Sequence, residues 1–215
     1  GLRARAEAQL RVPPLRQAVA RLPLGVQAPR LWSPESPELY RVVTRVLQGG
    51  AVIDEQVQHC GFRTQRFDAE RGFFLNGRPL KIQGVCLHQD HAGVGVAVPP
   101  ALVEWRLRRL KDLGCNAIRG SHNAQDAAFM DACDRLGFLV MSENRLFNPA
   151  PQYLEQQLRW LVRRDRNHPS VFLWSVFNEE PMQGTAAGYE MARRLRDAVR
   201  ELDTTRPVTA AMNDG

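Results

Sequence analysis

Lysine is almost missing from this chain, occurring only at Lys81 and Lys111, although 29 basic residues face 23 acidic ones. The net charge of +6 is therefore carried by arginines, and these are scattered among acids along the whole length. A nucleic-acid surface would gather them on one face. The scatter points to codon usage instead, and no nucleic-acid partner is expected. Long apolar runs are missing as well: no stretch of about 18 apolar residues exists to cross a membrane as a helix. The opening residues Gly-Leu-Arg-Ala-Arg-Ala-Glu have neither an initiator methionine nor a signal peptide's apolar core. The natural N-terminus is expected to lie elsewhere. Cysteine is sparse, and Cys60, Cys86, Cys115 and Cys133 form no C-x-x-C pair, so neither a metal site nor a disulfide framework is expected. Cys86 and Cys115 fall inside apolar strand-like runs, where a buried thiol is ordinary.

What is present divides in two. The 215 residues, 44% apolar, suffice for one large or two smaller cores. Residues 1–66 read as β-structure. Leu39 to Leu47 and Ala51 to Val57 are strand-like runs separated by the turn signal Gly49-Gly50. The Pro-rich stretch Leu31 to Pro37 cannot continue a central strand. These features suggest a sandwich with too few strands to close. From residue 67 to 215 the rhythm changes. Asn76-Gly77 signals a hairpin between Phe73–Leu75 and Pro79–Ile82. Strands are then expected at Ile82 to His88, Cys115 to Arg119, Phe138 to Ser142, Val171 to Phe177 and Pro207 to Ala211. Between them, helices carry Val103, Leu107 and Leu110; Phe129, Cys133 and Leu136; Leu154, Leu158 and Leu161; and Met191, Leu195, Val199 and Leu202.

Regular βα alternation with apolar strands means a parallel sheet covered by helices, either doubly wound or a (β/α)8 barrel. No G-x-G-x-x-G or Walker-type loop follows a strand, which weakens a nucleotide-binding reading. Polar residues crowd the C-terminal ends of the strands instead: His88, Arg119 to Asn123, Glu143, and Asn178 to Glu180. A barrel puts its chemistry there. The fold expected is α/β, a partial TIM barrel of about five of eight strands after part of an all-β immunoglobulin-like sandwich.

The richest segment runs from Asp165 through Asn167-His168-Pro169-Ser170 and an apolar strand to Trp174-Ser175 and Asn178-Glu179-Glu180. A strand that locks the backbone can aim a carboxylate at the barrel mouth. A glycosidase needs such an acid to protonate the leaving oxygen and later to serve as base toward water. A neighbouring asparagine can hydrogen-bond the sugar 2-hydroxyl. Acids also favour a helix N-terminus, and position alone does not separate the two roles.

The surrounding residues do. The segment resembles the second signature of glycoside hydrolase family 2. Gly114 to Asn123, with Met130 to Glu143 and its Cys-Asp-Arg-Leu-Gly run, resembles the first. Gly72 to Val85 is similar to the family's entry into its barrel, and His88-Gln89-Asp90-His91 to the loop after strand one. The resemblance extends from Leu31 to Gly215. It implies that Glu179 is the general acid/base and Asn178 its sugar-binding neighbour, with Glu180 a dipole-favoured bystander. It implies that Arg119 organises the catalytic carboxylates, where a structural ion pair is the alternative. His88, His91, His122 and Asn123 are implied to contact the sugar. The substrate implied is a terminal β-D-galactoside, hydrolysed with retention. β-Glucuronidase and β-mannosidase of the same family are the alternatives, as is a carbohydrate-binding or complementing module without catalysis.

Two departures from the family pattern matter. Many β-galactosidases carry a Glu and a His as magnesium ligands past the third strand. Asn144 to Asn148 supply no such pair, so no metal and no other cofactor is expected. Gln89 stands where an acid or His is common, which leaves the sugar open. The family's nucleophile, a second Glu on the seventh barrel strand, is expected beyond residue 215. Glu143, ending a neighbouring strand, is the alternative nucleophile within this chain, or else an acid behind the site. Homo-oligomerisation of the full-length enzyme and its compartment, bacterial cytoplasm or periplasm, stay open.

Overall fold

The computed structural model describes residues 2–213, which fall into two compact units divided after Arg30. The described residues of the first group form no helix or strand, and Leu10, Val12 and Leu15 are exposed.

In the second group the glycines and asparagines set the turns. Strands β1 (Tyr40–Gln48) and β2 (Ala51–Cys60) pair antiparallel across Gly49-Gly50, both at positive φ. Val43, Val46, Leu47, Val52, Ile53 and Val57 on this hairpin are exposed, as in a sandwich lacking its second layer. β3 (Gln65–Asp68), β4 (Gly72–Leu75) and β5 (Arg78–Pro79) form a meander. Its tight turn puts Asn76 at φ +51° and Gly77 at φ +78°, as a type I′ hairpin demands. The Asn76 side chain accepts from Thr64 N (3.0 Å) and donates to Trp32 O (2.9 Å), tying the turn to the segment before it.

β6 (Gly84–His88), β7 (Ala117–Ser121), β8 (Leu139–Glu143), β9 (Val171–Asn178) and β10 (Val208–Ala211) follow, all parallel, each beside its sequence neighbour. A doubly wound sheet would reverse its order at a switch point. This one never reverses, so it is five strands of a barrel of eight, with the sandwich part preceding it.

The helices between the strands are α1 (Pro100–Asp112), α2 (Ala127–Leu136), α3 (Pro151–Tyr153) continuing through a π-helical stretch (Leu154–Arg159) into α4 (Trp160–Asp165), and α5 (Ala186–Arg200). Pro100 opens α1, while Asp126 and Thr185 cap α2 and α5 with side-chain oxygens. Leu107, Met130, Cys133, Leu161, Leu195 and Val199 fill the layer between helices and sheet. A second cluster joins Trp32, Phe73 and Leu75 to Ala117, Leu139 and Phe172, which begin β7, β8 and β9. The meander therefore plugs the N-terminal end of the barrel, opposite the polar strand ends.

Two expectations need correcting. β6 and β7 begin two residues later than the apolar runs suggest, because the Asn116 side chain bonds Gln83 N (2.8 Å) and Lys81 O (2.9 Å) just before them. Cys86 is exposed, not buried. Leu87 packs on the helix layer, so Cys86 points to the opposite face, the barrel interior, which five strands leave open.

Candidate active site

Parallel strands in sequence order bring their C-terminal residues to one end of the sheet. His88 lies across from Ser121, and Glu143 across from Ser175. At this end Glu143 is fully buried. It accepts from Arg119 Nη2 (3.0 and 3.2 Å) and Nε (3.1 Å), from Ser175 Oγ (2.7 Å), and lies 2.7 Å from His122 Nδ1. Arg119 also donates to Asn178 Oδ1 and lies 3.0 Å from His122 Nδ1. A buried carboxylate so surrounded is held fixed, because each donor replaces a lost water.

Glu179 is the opposite case. It follows β9 directly, and its N–H still donates to Ala211 O (2.9 Å), so the ladder fixes its backbone. Its φ of +49° lies in the left-handed region that non-glycine residues seldom occupy. The residue is exposed, and its carboxylate has no hydrogen-bond partner among the described residues. Glu180 is half-buried beside it, in the loop before α5, whose N-cap is Thr185, so it serves no helix dipole, contrary to the expectation from sequence.

Of the other residues expected at the site, Arg119, His122 and Asn178 meet in one hydrogen-bonded cluster. His88 joins them through its ring, edge-on to that of His122 with centroids 5.1 Å apart. The Ser121–His122 peptide is cis. Asn123 turns its amide back to Ala124 O (2.8 Å). His91 opens the tight turn to Gly95, its N–H donating to Gly95 O (3.0 Å). Asn144 is buried, and its amide nitrogen donates to Leu146 O (2.6 Å) and Val176 O (3.2 Å). A donor committed to two carbonyls braces the loop after β8.

Sequence reasoning missed the hub role of Glu143 and of Ser175, although Ser175 stands within the Trp-Ser motif. It also missed what braces β9. At the start of that strand, His168 Nδ1 lies 2.6 Å from Asp134 Oδ2, and Ser170 N donates to Asp134 Oδ1 (3.1 Å). Burial alone would lower the His168 pKa, but the Asp134 hydrogen bond and charge, helped by Asp165 and Asp131, raise it. Trp32 Nε1 donates to Asp134 O (2.9 Å). In mid-strand, Trp174 Nε1 donates to Asp203 Oδ2 (2.9 Å). Burial opposes ionisation of Asp203, but Thr205, Trp174 and Arg206 outweigh it and pull its pKa down to about 2.

Comparison with known proteins bears on this arrangement. The family described as "Glycosyl hydrolases family 2, TIM barrel domain" matches residues 69–152 and 148–214, and "Glycosyl hydrolases family 2" matches residues 3–63. A putative β-glucuronidase of Formosa agariphila is 44% identical over 167 residues, covering 73% of this chain and 16% of that protein. A β-galactosidase of Bacteroides ovatus is 37% identical over 236 residues, covering 89% of this chain and 27% of that protein. The crystal structure of a glycosyl hydrolase family 2 member from Bacteroides cellulosilyticus superimposes with a TM-score of 0.82 at 42% identity, covering 89% of this chain and 26% of that one. The chain thus spans about a quarter or less of the curated relatives named here. Sequence signatures, strand order and these matches agree: the chain belongs to glycoside hydrolase family 2.

Proposed function

We propose that this chain forms the acid/base half of a retaining β-glycosidase active site, with Glu179 as the general acid/base. The observation that carries the reading is the contrast between two carboxylates at one end of the sheet. Glu143 is buried and saturated with donors, whereas Glu179 is open, held by its backbone, and its carboxylate has no hydrogen-bond partner among the described residues. A group that must give and take a proton needs the second setting.

In the first step Glu179 protonates the glycosidic oxygen while a nucleophilic carboxylate attacks the anomeric carbon and the C–O bond breaks. In the second, Glu179 takes a proton from the water that displaces the nucleophile, and two inversions retain the configuration. The nucleophile is read as a glutamate from a later barrel strand of the full-length enzyme. Asn178 binds the sugar 2-hydroxyl, and Arg119, His88, His91, His122 and Asn123 line the sugar site. The boundary between sandwich and barrel falls near Phe67.

The sugar is read in two ways. The motif from Gly114 to Asn123 resembles bacterial β-galactosidases and supports a terminal β-D-galactoside. The relative at 44% identity is named a putative β-glucuronidase and supports a terminal β-D-glucuronide equally. A panel of nitrophenyl β-galactoside, β-glucuronide and β-mannoside against the full-length protein separates them. One of the first two should be preferred by at least about tenfold in kcat/KM, since a buried polar group left unpaired by the wrong sugar costs on the order of 1–3 kcal/mol. Turnover of none of the three would contradict the glycosidase reading.

A further inference from the structure

Glu143 meets no role in the two chemical steps, yet it is the most completely buried acid at the sugar-facing end of the sheet. The chemistry of its partners limits what it does. Arginine can only donate, so the Asn178 atom facing Arg119 is the amide oxygen. The Asn178 NH2 is thereby turned away from Arg119, and it has no hydrogen-bond partner among the described residues. The same logic applies to His122. His122 Nδ1 lies 2.7 Å from Glu143 Oε1 and 3.0 Å from Arg119 Nη2, whose two hydrogens go to Glu143 and Asn178; a carboxylate can only accept, so the hydrogen sits on Nδ1 and faces Oε1. Nε2 is then left for another partner, on a ring whose side chain remains 27% exposed.

We propose that Glu143 is a positioning residue of the sugar site: through Arg119 it holds the Asn178 amide with its NH2 presented as a donor, and directly it holds His122 in the tautomer that presents Nε2. The proposal rests on the reading of Asn178 as the 2-hydroxyl ligand. Ser175 Oγ, 2.7 Å from Glu143 Oε2, locks the carboxylate from the neighbouring strand. Glu143 therefore sets the donor and acceptor pattern offered to the sugar without touching it.

The test compares kcat/KM of the full-length enzyme for the preferred nitrophenyl β-glycoside and its 2-deoxy analogue. Glu143→Gln keeps the shape but removes the charge that clamps Arg119. It should cost about tenfold more on the 2-hydroxy substrate than on the 2-deoxy one, the worth of roughly one well-placed hydrogen bond. Added to Asn178→Ala, it should alter the ratio between the two substrates no further. A merely structural role would lower both substrates equally, and an unchanged ratio in an active Glu143→Gln enzyme overturns the proposal alone. Should that variant fail to fold, Ser175→Ala, which keeps the charge and removes one lock, must shift the same ratio in the same direction by a smaller factor. An unchanged ratio there is equally fatal. A wild-type enzyme that hydrolyses neither substrate overturns the glycosidase reading and this proposal with it.

Discussion

Two adjacent glutamates, Glu179 and Glu180, follow β9 in unequal settings. Glu179 is exposed, with its backbone held by Ala211, whereas Glu180 is half-buried beside it. Glu180→Ala is expected to leave kcat on a nitrophenyl glycoside within about fivefold of the wild type, since Glu180 lies in the loop before α5 and its carboxylate has no hydrogen-bond partner among the described residues, so its loss costs at most about 1 kcal/mol. A loss in the acid–base range of about 10²-fold or more would move the assignment by one residue. Much at this scale was legible in the sequence. Glu143, Arg119, His122 and Asn178 were visible as polar residues at strand ends, because strands alternate faces and parallel strands share their ends. Which acid is buried was not legible. The burial of Glu143 depends on Arg119 and Ser175, 24 and 32 residues away, and no local pattern encodes those contacts.

At the scale of elements, β9 is the rigid part on which the site depends, and both family motifs serve it. The Asp-Arg-Leu-Gly run supplies Asp134, and the Asn-His-Pro-Ser run supplies His168 and Ser170, which meet at the start of the strand. The carboxylate of Asp134 is nearly fully buried. His168→Ala should therefore cost about 3 kcal/mol, the price of leaving a buried charge without its partner. The pH dependence has a definite sign. Because the folded His168 pKa is raised, its contribution is complete below the ordinary histidine value near 6.5 and is lost as pH rises through the folded value. Urea melts of wild type and variant should show a stability gap that narrows from about pH 6 upward. A gap that widens would contradict the ion pair. Asp203 runs the other way, contributing above the ordinary carboxylate range near 4 and losing its effect as pH falls through about 2. The elements themselves were readable from periodicity, and their starts were less so. Side-chain bridges such as Asn116 to Lys81 and Gln83 delay two strands by tertiary contact, which propensity does not register.

For the molecule as a whole, five parallel strands leave β6 and β10 with one neighbour each, and the hairpin β1–β2 exposes six large apolar side chains. The 215-residue chain by itself should therefore associate with increasing concentration, visible in light scattering, since unpaired edges and apolar faces recruit other chains. It should also show no turnover of nitrophenyl glycosides, because a retaining mechanism needs a second free carboxylate about 5 Å from the first. Robust turnover would hand the nucleophile's role to Glu143. The parallel βα sheet was legible from strand and helix alternation, and its barrel form from the polar strand ends and the family resemblance, whereas the unpaired face of the β1–β2 hairpin shows only in the structure, as exposed valines, a leucine and an isoleucine.

The central claim, that Glu179 is the acid/base, is tested most directly in the full-length enzyme. Glu179→Ala should lose about 10²–10⁴-fold on a disaccharide, whose leaving sugar needs a proton, and far less in glycosylation by a dinitrophenyl glycoside, which does not. Added azide should then restore turnover and yield the β-glycosyl azide, because it displaces the nucleophile without needing a base. Unimpaired hydrolysis of the disaccharide, or azide rescue in Glu180→Ala and not in Glu179→Ala, would contradict the account.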